Sequence, residues 1–504
     1  MIETELKFRI DPARRDALRR AVAGAGAARA VRLQARYFDT PDGRLAAAGL
    51  ALRLRREGRS RWVQTLKGQG DGLMQRLEHE VVLDVAGATR PIAIDLARHD
   101  GTPAGAALRA ALGPDEAELL ERFATDIHRT RRVVQVRHAG MAATVELAFD
   151  EGRIVAAGAD RPRTMAVTEL ELELLSGPPQ ALLLIASRWV QRHGLWLDMR
   201  SKAERGHALA VAAAVPAARA EPPEVGPRMS QRQGLVAMVR ACLGQVLPNM
   251  AVVADGQAMD PEHVHQLRVG LRRLRTALRE FGAGIEGVDA AWGDALAETF
   301  AVLGAARDRD VVPITLAPAH AAARAAGLAG PMSAALPTAP AAPSDLAVLR
   351  ERRFNLALLG LIGFALDDDK PPAGAPLIDA ARACLARRHR QMRVGGQRFE
   401  TLDDAERHRL RKRLKRLRYD IEFVAPLFRA KAAARYLALL RPVQDALGDY
   451  HDLVVADAQC RATPAPTPVD AFVLGWLVAR RELLIARAVD RLRALDAAPR
   501  FWKR

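Results

Sequence analysis

The chain has 504 residues, 49% of them hydrophobic, which excludes global disorder and predicts at least two domains. Its formal net charge of +17 points to polyanionic partners. Three cysteines, Cys242, Cys384 and Cys460, lie far apart without ligand spacing. That excludes a disulfide framework and predicts thiols in a reducing compartment, hence a cytoplasmic protein. No signal peptide is read at Met1-Ile2-Glu3, and no apolar run reaches the roughly 18 residues a membrane span needs, so no membrane association is expected.

The first predicted element is a strand with Glu3, Glu5, Lys7 and Arg9 at alternate positions. Alternate side chains of a strand share one face, so carboxylates and cations point the same way. Such a face suits a site that holds a divalent metal and a phosphate chain together. The pattern recurs in Arg53 and Arg55, in Thr65 and Lys67, in Arg76, Glu78 and Glu80, in Glu146 and Asp150, and in Glu169, Glu171 and Glu173. Leucines occupy many of the opposite faces. Strands with apolar residues outward and charge inward describe a barrel with a polar lumen.

Lysine usage supports the same positions. The chain holds 68 Arg but 8 Lys, and residues 1–210 contain Lys7, Lys67 and Lys202 alone. A compact ammonium is not interchangeable with a guanidinium in a tight site, so retained lysines are candidate site residues.

Residues 209–228 read as an Ala/Pro-rich linker, and the texture then changes to Ala/Leu/Arg-rich segments of helical period. The expected organisation is 1–208, the linker, and an all-helical region over 229–504. Further loops are expected near 313–345 and 461–469. The helical region repeats itself, at about 229–312 and 346–504. His265, Arg268, Arg272 and Arg275 share offsets with His408, Arg411, Lys415 and Arg418, and each set falls on one helical face. Leu303-Gly304 with Arg307-Asp308 follows the first copy as Leu447-Gly448 with His451-Asp452 follows the second. A polyanion lying across both helices would relieve the repulsion within each. Nucleic acid is disfavoured as that polyanion, because the basic helices lack interleaved aromatics to stack on bases.

Glu3-x-Glu5-x-Lys7, Tyr37-Phe38-Asp39-Thr40, Leu52-Arg53-Leu54-Arg55, Gln64-Thr65-Leu66-Lys67-Gly68, Glu169-Leu170-Glu171-Leu172-Glu173 and Ser201-Lys202 resemble, in order, the CYTH family of triphosphate tunnel metalloenzymes. The resemblance implies an α+β chain opening with an eight-stranded antiparallel tunnel and flanking helices. It also implies hydrolysis of inorganic triphosphate or short polyphosphate with Mg²⁺ or Mn²⁺. Carried over, Glu3, Glu5, Lys7 and Lys67 are catalytic. Lys7, Arg53, Arg55, Lys67, Arg131, Lys202 and Arg205 bind substrate, and Glu3, Glu5, Glu146, Asp150, Glu169 and Glu171 bind metal. The second half resembles the CHAD family, a duplicated helical domain associated with polyphosphate. There His265, Arg268, Arg272, Arg275, Arg307, His408, Arg411, Lys415, Arg418 and Tyr419 would hold the polymer, and granule association is a second location to consider. An adenylate cyclase or thiamine triphosphatase on the same tunnel, and a non-catalytic polyphosphate-binding protein, stay open as alternatives.

Overall fold

The computed structural model describes the chain apart from residues 1, 25–27, 71, 85–91, 115–117, 139, 159–160, 213–214, 257–259, 329–345, 367–373, 463–466 and 504, and gives the backbone alone for 138 and 305–311. It contains two compact units. Met1–Ala218, Val246–Val264 and Leu349–Leu366 form the first, and Arg219–Gln245, His265–Val348 and Asp367–Arg504 the second.

In the first unit the alternating segments form β1 (Ile2–Arg9), β2 (Arg29–Asp39), β3 (Ala51–Glu57), β4 (Arg61–Gln69), β5 (Gln75–Leu83), β6 (Leu120–His138), β7 (Met141–Ala156) and β8 (Arg163–Ser176). They pair antiparallel in the order β5-β4-β3-β2-β6-β7-β8-β1, and β1 closes the barrel on β5. A two-residue β9 (Trp196–Leu197) adds to β1.

The outward faces are apolar and covered by helices. α1 (Arg15–Ala23) lies on β6 and β7, and α2 (Arg44–Ala47) and α3 (Pro103–Leu112) cover β3 and β4. There Leu45, Leu52, Leu66 and Leu108 make one buried cluster. α4 (Pro179–His193) packs on β6, β7 and β8, opposite α9 (Arg352–Ala365), a helix from far along the chain. Asn355 of α9 is wholly buried and accepts a hydrogen bond from the Leu197 N–H at 2.9 Å.

α5 (Lys202–Val211) starts at a capping box in which Ser201 and Glu204 exchange hydrogen bonds. Such a box satisfies amide groups that the first helical turn leaves unpaired. It fixes where Lys202 and Arg205 leave the backbone.

The remaining helices are α6 (Gln231–Asp255), α7 (Pro261–Phe281), α8 (Ala290–Ala325), α10 (Leu377–Gln397), α11 (Asp404–Val424), α12 (Ala430–Arg461) and α13 (Pro468–Asp496). Capping boxes open α11 and α13. Among the described residues α6 alone is long and apolar enough to cross a membrane, and 72% of its apolar window is buried in the protein.

The loop expected over 313–345 is in part a helix. α8 continues to Ala325 with Pro313 and Pro318 inside it. Each proline removes a backbone donor and disfavours a helix interior. Tertiary packing offsets this, because Val312, Leu316, Ala319 and Ala323 are buried against Tyr450, Leu453 and Ala456 of α12 and Val473 and Leu477 of α13. Residues 329–345 of that loop lie outside the described residues.

Candidate functional site

The lumen of the barrel brings together charged side chains from seven strands and one helix. Glu3, Glu5, Lys7, Arg53, Arg55, Lys67, Arg76, Arg129, Asp150, Glu171, Lys202 and Arg205 line a cavity of about 820 Å³. The lumen is not polar throughout. Leu33, Ala35 and Tyr37 of β2, Phe123 and Ile127 of β6 and Met165 of β8 line the same cavity, so the barrel is charged at one end and apolar at the other. Ala203, Leu209 and Ala210 of α5 pack against that apolar cluster. α5 therefore stoppers the apolar part and carries Lys202 and Arg205 on its first turn into the charged part.

Three lumen carboxylates converge. Oxygens of Asp150, Glu169 and Glu171 all lie within 4.8 Å of one another. The strand register explains this, since β7 and β8 pair Asp150 with Glu169 and Ala148 with Glu171. The Lys202 ammonium sits among them, 2.6 Å from Asp150, 3.0 Å from Glu171 and closer still to Glu169. Arg205 pairs with the other oxygen of Glu169. Burial pushes the Glu169 carboxyl up, but Arg205 and Lys202 bring it down to about 2. Burial also opposes the charge on Glu171, and Lys202, Lys7 and Arg129 hold it well below the usual range. Three hard oxygen donors already gathered around a cation suit Mg²⁺ or Mn²⁺.

The other metal candidates are placed differently. Glu3 pairs with Lys67 at 2.7 Å, and Lys67 also reaches Glu78 at 3.1 Å. Burial raises the Glu3 carboxyl, yet Lys67 and a hydrogen bond with Glu78 hold it at about 2. Its neighbours move the opposite way. Burial and the field of Glu3 leave Glu78 at about 7 and Glu173 at about 8. Glu5 is buried between Lys7 and Arg76, the latter at 3.0 Å. Glu146 faces Arg131 at 3.6 Å, with half of the Arg131 side chain exposed.

Of the substrate-binding candidates, the lumen collects Lys7, Arg53, Arg55, Lys67, Lys202 and Arg205, whereas Arg131 is not among the cavity-lining residues. Arg129, on the same strand face, is the residue the sequence reading missed. It forks onto both oxygens of Asp150 at 2.7 Å and reaches Glu171 at 2.5 Å. Register is the deciding signal, because Arg129 lies opposite Asp150 and Arg131 opposite Ala148. Tyr37 was also missed. Its hydroxyl accepts from Arg53 at 3.3 Å.

In the second unit α7 and α11 bring the two repeats together. Arg272 donates to the Tyr419 hydroxyl at 2.9 Å and lies over Phe300 and Tyr419. Arg268 donates to the carbonyls of Leu303 and Gly304. Lys415 lies among Arg272, Arg411 and Arg268, and burial with that repulsion pushes its ammonium down to about 6. Arg411 faces Asp452 at 3.7 Å, and His408 meets His451, a partner unread in the sequence, at 3.1 Å. Burial, Arg411 and His408 drive His451 down to about 3. Arg275 joins Arg268 over Phe300. Arg418 is instead drawn off to Glu422 at 2.6 Å and Gln444 at 3.0 Å. His265 lies on α7 at the head of the same face. Arg307 falls in α8, and its side chain lies outside the described residues.

Residues 1–207 match the family model described as CYTH domain, and residues 237–461 the model described as CHAD domain. A protein of Haemophilus influenzae named inorganic triphosphatase is 31% identical over 180 residues. The match spans 34% of this chain and 44% of that protein, less than half of its length. Among solved structures, the CHAD domain of the plant Ricinus communis is 27% identical, with 57% of this chain and 99% of that one covered and a TM-score of 0.47.

Proposed function

We propose that this chain, which carries a CYTH domain fused to a C-terminal CHAD domain, hydrolyses inorganic triphosphate or short polyphosphate in its barrel and binds polyphosphate on its helical unit. The observation that carries the reading is the convergence of Asp150, Glu169 and Glu171 beside a wall of buried cations. The name of the Haemophilus relative agrees with it.

In this reading Lys67, Arg53, Arg55 and Lys7 hold the oxygens of a linear triphosphate. Arg129 orients Asp150 and Glu171 and helps keep Glu171 ionised, and Lys202 gives up its place among the three carboxylates. A bound Mg²⁺ or Mn²⁺ would there neutralise charge on the phosphate oxygens while water takes the terminal phosphoryl group and diphosphate leaves. Phosphoryl transfer needs mainly positioning and charge stabilisation, so no nucleophilic side chain is required. The basic groove where α7 and α11 meet gathers the polymer and tethers it to the chain that carries the barrel.

The test is phosphate release from tripolyphosphate, ATP and long-chain polyphosphate with Mg²⁺, Mn²⁺ or EDTA. Rapid release from tripolyphosphate, abolished by EDTA and lost in Glu5→Ala and Lys67→Ala, is expected. Cyclic AMP formed from ATP faster than phosphate would favour a cyclase. No release from any substrate would leave a binding protein.

A further inference from the structure

The basic helix α11 has a second charged face that the groove does not use. His408, Arg411, Lys415 and Arg418 share one side, while Arg409, Lys412, Arg413 and Arg416 fall roughly 130° around the helix. Arg409, Lys412 and Arg413 are exposed. α10 packs along α11 and adds Arg387, Arg390 and Arg393 at intervals of three, all exposed. Arg390, Arg393, Lys412, Arg413 and Arg416 form no ion pair with any described carboxylate. So many unpaired like charges on adjacent helices repel one another, and a polyanion would relieve the repulsion.

This face is continuous with the groove. Arg275 and Arg279 continue the α7 stripe of Arg268 and Arg272. Arg416 lies in the field of Arg279, Arg388 and Arg275, and burial with that repulsion pushes it down to about 10. Arg388 in turn feels Arg413. Two acids sit at this seam. Glu280 accepts from Arg279 at 3.0 Å, from Arg387 at 2.8 Å and from Arg388, and Asp420 is buried 3.5 Å from Arg388. Glu280 thus pins the guanidinium groups that join the two faces, and the cations beyond it stay open to solvent.

We infer that a long polyphosphate leaves the groove at Arg275 and Arg416 and continues over the outer face of α10 and α11, on Arg390, Arg393, Lys412 and Arg413. The inference rests on the polyphosphate reading of the helical unit and adds a second contact segment that only long chains reach. Polyphosphate fits better than nucleic acid because this face offers no aromatic ring to stack on a base. α10 contains no Phe, Tyr or Trp, and Tyr419 and Phe423 of α11 are buried. Exposed guanidinium and ammonium groups on two packed helices suit a narrow chain with charged oxygens at every phosphorus.

The experiment measures binding of a short oligophosphate and of long-chain polyphosphate to the full chain across salt concentrations, with EDTA present to prevent hydrolysis. Wild type is compared with R390Q/R393Q/K412Q/R413Q and with the groove variant R272Q/K415Q. The outer variant should weaken long-chain binding about tenfold or more. Its log–log salt slope should fall by about 3, at about 0.7 per lost contact. Short-chain binding should change less than about twofold, and the groove variant should lose both. An outer variant with wild-type long-chain affinity and slope, with short chains still bound, would overturn the second segment alone. Wild type that binds neither chain would overturn the polyphosphate reading itself. Double-stranded DNA bound as tightly as polyphosphate, and weakened equally by the outer variant, would replace this occupant with nucleic acid.

Discussion

Asp420 is the residue whose environment and chemistry disagree most. It is wholly buried, and neither carboxylate oxygen has a hydrogen-bond partner. Burial raises it from 3.8 to about 6, although Arg388 lies 3.5 Å away. A carboxyl raised on folding holds its proton more tightly in the native state. Its contribution is therefore whole below pH 3.8 and is lost as pH rises through about 6. Asp420→Asn should remove the decline in thermal stability between pH 4 and 6. At pH 7 it should be the more stable protein by something on the order of 2–3 kcal/mol. Melting curves from pH 4 to 8 decide this, and a variant less stable than wild type at pH 7 would show that the ionised form is well paired with Arg388. At this scale the sequence was legible wherever alternation sufficed, as for Glu3, Lys7, Arg53 and Lys67. It was not legible for Arg129 against Arg131, because both occupy the same strand face and only the pairing with β7 separates them.

Among the elements, α5 ties the apolar end of the barrel to its charged end. Its Gly206 lies against the Phe123 ring, and a Cβ there would stand 2.2 Å from a ring carbon. Gly206→Val should force the helix or the ring aside and lower stability by about 1–3 kcal/mol. Lys202 and Arg205 sit on the same helix, so the KM of the proposed tripolyphosphate hydrolysis should rise with the loss of stability. An unchanged melting temperature would mean that Phe123 moves freely and that α5 is not a fixed stopper. The strand pattern foretold the charged faces and the outer leucines. It did not foretell the apolar inward positions, since Leu33, Ala35 and Tyr37 read like any buried face until β2 is placed in a closed barrel. Helical period likewise found α11 but not its two basic faces, and proline content concealed the second half of α8.

At the scale of the whole molecule, the barrel is not complete at the Ala/Pro-rich segment that ends its contiguous sequence. The first unit also takes in Val246–Val264 and Leu349–Leu366. Nothing local announces this, because α6 and α9 look like any other helices of the second half. Their packing partners are specific. Phe354, Leu358, Leu361 and Ile362 of α9 are buried, as are Leu182, Leu183 and Ile185 of α4. Asp255 at the end of α6 pairs with Arg9 at 3.1 Å and Arg200 at 3.3 Å, beside the cavity. A fragment ending at Ala218 would expose the α4 surface and strand Arg9 and Arg200 without Asp255. Each large apolar side chain returned to water costs about 1.5–3 kcal/mol, so the loss should amount to several kcal/mol. The fragment should lose the proposed tripolyphosphatase activity on heating well below the full chain and should bind a hydrophobic dye before it unfolds. Equal inactivation midpoints would show that the barrel stands without the distant helices. The predicted gap instead makes the later helices part of the barrel's own fold, which explains why the chain returns to the first unit twice before it ends.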